Sequence, residues 1–257
     1  MKLVEYHVKD RIGVITLNRP EKRNAFNHEL VADLKERFFS AEKDSQVKVI
    51  ILKANGEAFC AGADLAYLQQ LQKFSYEQNL QDSNHLKELF LQIYTHPKVV
   101  LAQVQGHALA GGCGLATVCD FAYTVPQAKF GYTEVKIGFI PAIVTVFLLR
   151  KIGEAKSKEL LLGGELISAE QALQIGLINN VVPPEKLELE VLETARKLVD
   201  GNSAQSMKLT KQVIAQVQSV SLGEALNYAA EMNAQARGTD DCKRGISAFL
   251  NKEKLIW

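Results

Sequence analysis

The chain has 257 residues, 47% of them hydrophobic and 23% charged, and its 30 Lys and Arg against 29 Asp and Glu give a formal net charge of +1. That is the composition of a folded globular protein, which excludes the disordered, collagenous and disulfide-dense classes. Near-neutrality also gives sequence-independent nucleic-acid binding no electrostatic support. The opening MKLVEYHVKDR lacks the apolar block and small-residue cleavage site of a signal peptide, so a cytoplasmic location is expected. The longest uncharged stretch, between Lys98 and Asp120, has the length of a membrane span. It carries Gln103, Gln105, His107 and four glycines, which lipid penalises, and it reads as buried core with a site in it.

In chain order, Val14 to Leu17 forms a β-prone run closed by Asn18-Arg19-Pro20, and Leu30, Val31, Leu34 and Phe38 then recur on one helical face. Val47 to Leu52 is nearly all apolar, as expected of a strand buried on both faces in a parallel-type sheet. A glycine turn at Gly62, a polar helical stretch from Ser75 to Tyr94, the turn His96-Pro97 and a strand from Val99 to Val104 follow. Leu115 to Val118 reads as a short helix after Gly111-Gly112, and Phe121 to Thr124 as another strand. Strand signals then thin out. Ser168 and Gln171 form a capping-box pattern with a stop at Gly176, and Pro183-Pro184 opens a helix that runs to Asp200-Gly201. Further helices are expected over Ala204–Val217 and Leu222–Ala236, followed by a last segment from Asp240 to Trp257. Phe249, Leu250, Leu255, Ile256 and Trp257 in that tail suggest packing on a partner subunit, the alternative being that the tail folds back on its own core. The expected division is a core over 1–200 and a helical region over 201–257.

Four cysteines without a CxxC pair and five histidines without an HxxxH spacing give no metal signature, and the thiols read as small buried side chains. Hydrolase elbow, P-loop and dinucleotide fingerprints are absent. What remains lies in three glycine-bounded segments. In Gly56 to Leu65 a strand ends in small residues and a helix begins at Asp64. In Gly106 to Leu115 a strand again meets glycines and a helix start. Two such turns brought together offer two backbone N–H donors to one oxygen, although glycine pairs more often serve tight turns. The third, Phe130 to Pro141, holds Glu134 among apolar neighbours, where desolvation would raise its pKa as a general acid/base requires. Spacing alone favours the plainer reading, in which Glu134 faces solvent or pairs with Lys136.

In this order the segments resemble the crotonase family, the enoyl-CoA hydratase/isomerase superfamily. The match runs through Leu17-Asn18-Arg19-Pro20 with Asn24-Ala25, Ala58 to Leu65, Gly106 to Asp120, Phe130-Gly131 with Glu134, Gly163 to Ile178, and Ala248-Phe249-Leu250. The resemblance implies an α/β fold: a crotonase (ClpP-like) spiral of ββα units with C-terminal helices that build a homotrimer or a hexamer of two trimers. It implies an acyl-CoA substrate, whose coenzyme A is part of the substrate, with no metal and no separate cofactor. Ala63 and Gly111 match the family's oxyanion-hole N–H groups, and Glu134 matches the second of its two glutamates. Ala61, Asp64 and Leu65, with Ala63, match the strand end that meets adenine and pantetheine. Arg23 and Ala25 match positions near the CoA entrance, and Phe249 and Lys252 match positions that reach the nucleotide of a neighbouring subunit.

Two departures stand out. Family hydratases read GGGCE where this chain reads Ala110-Gly111-Gly112-Cys113-Gly114, so the first acid is missing and Gly114 lines that position instead. Pro141-Ala142-Ile143-Val144-Thr145 replaces a glycine-rich PGxGG, and larger side chains there should narrow the acyl pocket. With Glu134 as sole acid/base, Δ3,Δ2-enoyl-CoA isomerisation is the simplest chemistry. Hydration stays open if Thr133, Tyr132 or His107 holds a water. Decarboxylation, retro-aldol cleavage and a catalytically silent acyl-CoA-binding paralogue are the alternatives, whereas a protease finds no Ser, His and Asp arrangement in the sequence.

Overall fold

The computed structural model describes residues 2–257. Strands β1 (Val4–Lys9) and β2 (Ile12–Leu17) form an antiparallel hairpin, and α1 (His28–Lys43) follows, capped by the Asn27 side chain on Leu30 N–H. The chain then repeats one motif. A long strand joins a first sheet, a three-residue strand joins a second, and helix follows: β3 (Val49–Ala54), β4 (Ala58–Cys60), α2 (Leu65–Leu71) and α3 (Tyr76–Tyr94), then β5 (Val99–Val104), β6 (His107–Leu109) and α4 (Gly111–Thr117), then β7 (Phe121–Thr124), β8 (Lys129–Gly131) and α5 (Ala142–Gly163).

The first sheet has the order β1-β2-β3-β5-β7, completed by β10 (Asn180–Val181), and is parallel from β2 onward. The second has the order β4-β6-β8-β9, with β9 (Ile167–Ser168) antiparallel to β8. Because successive units add strands side by side to both sheets, each βα turn stands next to the preceding one. That is how turns near residues 62 and 110 meet in space. The expected spiral of ββα units is therefore the observed architecture.

Helix α6 (Ala169–Gln174) carries the Ser168/Gln171 capping box, and Gly176 takes φ +78 just beyond it. Strand β10 (Asn180–Val181) closes the first sheet, and α7 (Leu187–Gly201) packs against it through Val191, Ala195 and Val199. Helices α8 (Ala204–Val217), α9 (Leu222–Gly238) and α10 (Asp240–Leu250) follow. Buried apolar side chains run from Val4 to Val199, and beyond that point Ala248 is the one buried apolar side chain among the described residues. Helix α8 is tied to the core by Met207, which packs against it, and by a polar contact in which Lys211 pairs with Asp120 at 2.6 Å, a carboxylate that also accepts the Val100 N–H.

Several expectations need correction. The helix expected at Leu115–Val118 begins at Gly111 and is α4. The strand expected from Val47 starts at Val49, because the Val47 N–H closes a turn on the Asp44 carbonyl. The polar opening segment contains β1, whose outward face explains its polarity. Helix α5 takes up the later part of the uncharged run after Glu134; it is apolar around much of its circumference and is broken at Gly153, whose backbone is not helical, so no clean periodicity announces it. In the tail, Trp257 folds back on its own chain, its N–H on the Asp200 carbonyl and its ring under Arg244, whereas Phe249 is 83% exposed and Leu250 73%.

Candidate active site

The site begins with a buried asparagine. Asn24 takes a left-handed φ of +54, its side-chain amide donates to the carbonyls of Asn55 and Ala58, and its oxygen accepts the Arg19 N–H. This fixes the loop Arg23–Phe26 against β4. Arg23 and Ala25 sit on that loop: Arg23 is exposed and its carbonyl accepts Ala61 N–H, whereas Ala25 is buried and its carbonyl accepts Arg19. Phe26 then bridges to Ala63 in parallel fashion, its N–H on the Gly62 carbonyl and its carbonyl taking Asp64 N–H. In such a bridge the N–H of Ala63 points to the opposite side, and it has no partner among the described residues.

Asp64 caps α2 through Ala66 N–H and pairs with Arg19 at 2.7 Å. Burial works to raise its carboxyl, but the hydrogen bonds from Arg19 and Ala66 outweigh it and hold the group below its usual value. Leu65, which opens α2, is 71% exposed and leaves an apolar surface at the mouth of the turn.

The second turn lies directly on the first. A Cβ at Gly62 would stand 2.7 Å from the Ala110 Cβ and 3.4 Å from the Gly111 nitrogen; one at Gly112 would stand 2.1 Å from the Cys60 carbonyl oxygen. Only hydrogen side chains permit this approach. Gly111 is the first residue of α4, so its N–H has no intrahelical acceptor, and none is found among the described residues. Ala110, at φ +50 and ψ −126, turns the chain into the helix and donates its own N–H to the Gly131 carbonyl at 2.7 Å. Two unpartnered N–H groups, at Ala63 and Gly111, thus stand on adjoining turns, the second with the positive end of a short helix behind it.

Gly131 ends β8, and the chain passes through Tyr132 and Thr133 to Glu134. Glu134 is buried, and its Oε2 is without a hydrogen-bond partner. Desolvation raises its pKa above the ordinary carboxylate value, opposed only by its own backbone N–H. Lys136, the partner considered from sequence, pairs with Glu165 instead, so the solvent-facing reading of Glu134 is overturned. A buried acid with a raised pKa and a free oxygen is suited to take and return a proton near neutral pH.

The hydroxyls around it separate. Tyr132 is fully buried and its Oη is 3.0 Å from Thr117 Oγ1, which itself donates to the Cys113 carbonyl. His107 is exposed and accepts Lys129 N–H. Each therefore has one polar partner already within the chain. Thr133 has no side-chain hydrogen bond among the described residues. Gly114 is buried one helical turn after Gly111, facing Val144. Phe249 and Lys252 belong to the exposed C-terminal region, where α10 packs on α8 and α9. The sequence marks Gly62 as a turn, and its left-handed φ and contact with Ala110 give the reason; Phe26 carries no signal in the sequence and is visible only through its bridge.

Three cysteines are buried. Burial pushes the Cys60 and Cys119 thiols up to about 12 and that of Cys113 to about 11, so none is a nucleophile. No group of three or more His, Cys, Asp or Glu among the described residues is arranged to hold a metal, and no helix is long and apolar enough to cross a membrane.

The chain as a whole is similar to known proteins. Residues 7–257 match the enoyl-CoA hydratase/isomerase family. A Thermus thermophilus relative is 41% identical over 244 residues, covering 95% of this chain and 96% of its own length. The 2,3-dehydroadipyl-CoA hydratase of Escherichia coli is 33% identical over 245 residues, covering 95% and 94%. The crystal structure of an enoyl-CoA hydratase from Mycobacterium smegmatis superposes with a TM-score of 0.93 at 30% identity, covering 99% of this chain and 98% of that one. With its spiral of ββα units and its sequence alike over nearly the whole length, the chain belongs to the enoyl-CoA hydratase/isomerase family, the crotonases.

Proposed function

We propose that the protein acts on an enoyl-CoA thioester through an enolate, with the N–H groups of Ala63 and Gly111 holding the thioester oxygen and Glu134 as the sole acid/base. The observation that carries this reading is a buried Glu134 with an unpartnered oxygen and a raised pKa, three residues after the Gly131 carbonyl that holds the Ala110 N–H, with unpartnered N–H donors on the adjoining turns at Ala63 and Gly111. As negative charge develops on the oxygen, preorganised donors stabilise it, each worth about 3 kcal/mol. The Glu134 carboxylate takes a proton from the α-carbon or γ-carbon and returns it to the other, which shifts the double bond between the 3- and 2-positions with no net change in atoms.

Hydration is the second reading. Relatives named as hydratases support it, as does the unengaged hydroxyl of Thr133 beside the acid, which is suited to anchor a water. Product analysis after incubation with 2-enoyl- and 3-enoyl-CoA in isotopically labelled water separates the two. Solvent hydrogen without solvent oxygen means isomerisation; solvent oxygen in the product means hydration. Absence of turnover across the panel, with CoA still bound, would make the chain a silent acyl-CoA binder.

Ala61, Asp64 and Leu65 would line the path of the pantetheine and adenine, Arg23 and Ala25 its entrance, and Gly114 and Thr133 the acyl end. The chemistry requires a carboxylate and backbone dipoles, so we propose that coenzyme A enters as part of the substrate and that no further cofactor is needed. Activity that survives chelator treatment is the corresponding expectation. The exposed apolar side chains of α8 to α10, including Ile214, Leu226, Ile246, Phe249 and Leu250, support a trimer or a hexamer of two trimers, with Phe249 and Lys252 meeting a neighbour's nucleotide. On this reading residues 201–257 are the oligomerisation region, residues 1–200 the core, and the protein works in the cytoplasm.

A further inference from the structure

We infer that Val144 and Gly114 form one packed unit that closes the position a second acid would need, so that residue 144 sets reaction specificity together with Glu134. The inference rests on the reading of Glu134 as the acid/base.

Gly111 and Gly114 are three residues apart on α4 and share a face of the helix, so the side-chain position at 114 looks onto the same space as the Gly111 N–H. Gly114 has no positive φ, and glycine is a poor helix former, so the backbone gives no reason for it. The reason is spatial. A Cβ at 114 would stand 2.2 Å from Val144 Cγ1, 3.1 Å from Val144 Cβ and 3.5 Å from Phe90 Cζ. Val144 is 4% exposed and lies in the first turn of α5, where the Thr145 hydroxyl is bonded to the Pro141 carbonyl. Behind it, Phe147 lies between Phe90 and Tyr94 at centroid distances of 6.3 and 5.2 Å, and Phe90 meets Phe26 edge to face at 6.3 Å. Phe26 is in turn the nearest neighbour of a Cβ built at Gly111, at 3.2 Å. A wall of Phe26, Phe90, Phe147 and Val144 therefore runs from the oxyanion turn across the place of the missing acid.

The two sequence departures, at 114 and at 141–145, are on this account a single feature. A methyl group fills the volume where a carboxylate would stand, and the Tyr132 and Thr117 hydroxyls nearby are engaged with each other. That face is apolar and offers nothing to orient a water. Proton relocation by Glu134 is favoured there over delivery of a hydroxyl to the substrate.

The test has two parts. In a melting-temperature cycle over Gly114→Ala, Val144→Ala and the double variant, Gly114→Ala is expected to lower the midpoint by about 5 °C or more, despite the better helix propensity of alanine. In the Val144→Ala background that loss should shrink to about half or less. A Gly114→Ala protein as stable as its parent, or an undiminished loss in the double variant, would overturn the packed unit. The second part compares Val144→Gly with Gly114→Glu/Val144→Gly on enoyl-CoA in ¹⁸O-labelled water. The double variant should raise the rate of solvent-oxygen incorporation by about tenfold or more, a floor set below the 10²–10⁴ of a well-placed general acid/base. A folded double variant with an unchanged rate would overturn the role of residue 144 in specificity. Full turnover by Glu134→Gln would instead refute the reading of the acid, and the melting cycle would stand unaffected by it.

Discussion

Gly62 is the hinge on which the candidate site depends, and replacing it with alanine tests the geometry at a place where no side chain does chemistry. At φ +88 an L residue costs about 1–2 kcal/mol of backbone strain. The new Cβ would also stand 2.7 Å from the Ala110 Cβ and 3.0 Å from the Leu109 carbonyl oxygen, an overpacking worth about 1–3 kcal/mol. The sum, about 2–5 kcal/mol, is a large part of a typical domain stability and corresponds to a melting point lower by about 5–20 °C. Whatever relief the structure finds must push the 56–65 turn away from Ala110 and Gly111, and so separate the two N–H donors. Losing one donor costs about 10²–10³ in kcat. Because the donors meet charge that develops during the reaction, kcat should fall far more than KM rises. Circular dichroism melting and steady-state kinetics on an enoyl-CoA measure both effects. A Gly62→Ala enzyme with a midpoint within about 2 °C of its parent and an unchanged kcat would refute the argument that these turns are held in van der Waals contact for function.

Glu134→Gln should lower kcat by about 10²–10⁴. It should also be the more stable protein at neutral pH. Burial raises the Glu134 pKa, so the native state gives up stability as pH rises through that raised value; the parent and the variant should coincide below about pH 4 and diverge towards pH 8, as read by urea denaturation across pH. Lys211→Ala strands the Asp120 carboxylate in a largely buried position and should cost about 2–4 kcal/mol, whereas Lys211→Met with Asp120→Asn should recover most of it. Native protein treated with iodoacetamide should be modified at Cys242 at most, and all four thiols should react after denaturation, as counted by intact mass.

The elements with strong local signatures were legible. Leu30, Leu34 and Phe38 mark α1 by spacing, the Ser168/Gln171 box marks α6, and the apolar runs of β3 and β5 mark strands buried on both sides. What was not legible depends on partners distant in the chain. Glu134 reads as a surface charge until Lys136 is found on Glu165. Strand β1 is defined by its pairing with β2 and not by its own polar sequence, and α5 hides because its apolar residues cover more than one face. Of the candidate site, the two glycine turns and the acid could be named residue by residue from the family resemblance. The contact between Gly114 and Val144 could not, since two departures thirty positions apart give no sign in the sequence that they touch.

Helix α4 has only seven residues, too few to be stable alone, and its far end is held by side chains from later in the chain. Lys151 of α5 donates to the carbonyls of Thr117 and Cys119, both at 3.0 Å, and Lys211 of α8 reaches Asp120 from 91 residues downstream. Ribosomes add about 5–20 residues each second, so roughly 5–20 s pass between synthesis of Asp120 and arrival of its counterion. A nascent chain can complete the strands up to β7 in that time while the anchor of the Gly111 turn is still being made. Completion of the candidate site is on this account among the last steps the growing polypeptide takes, and a chain released before α8 would carry most of the sheet without it.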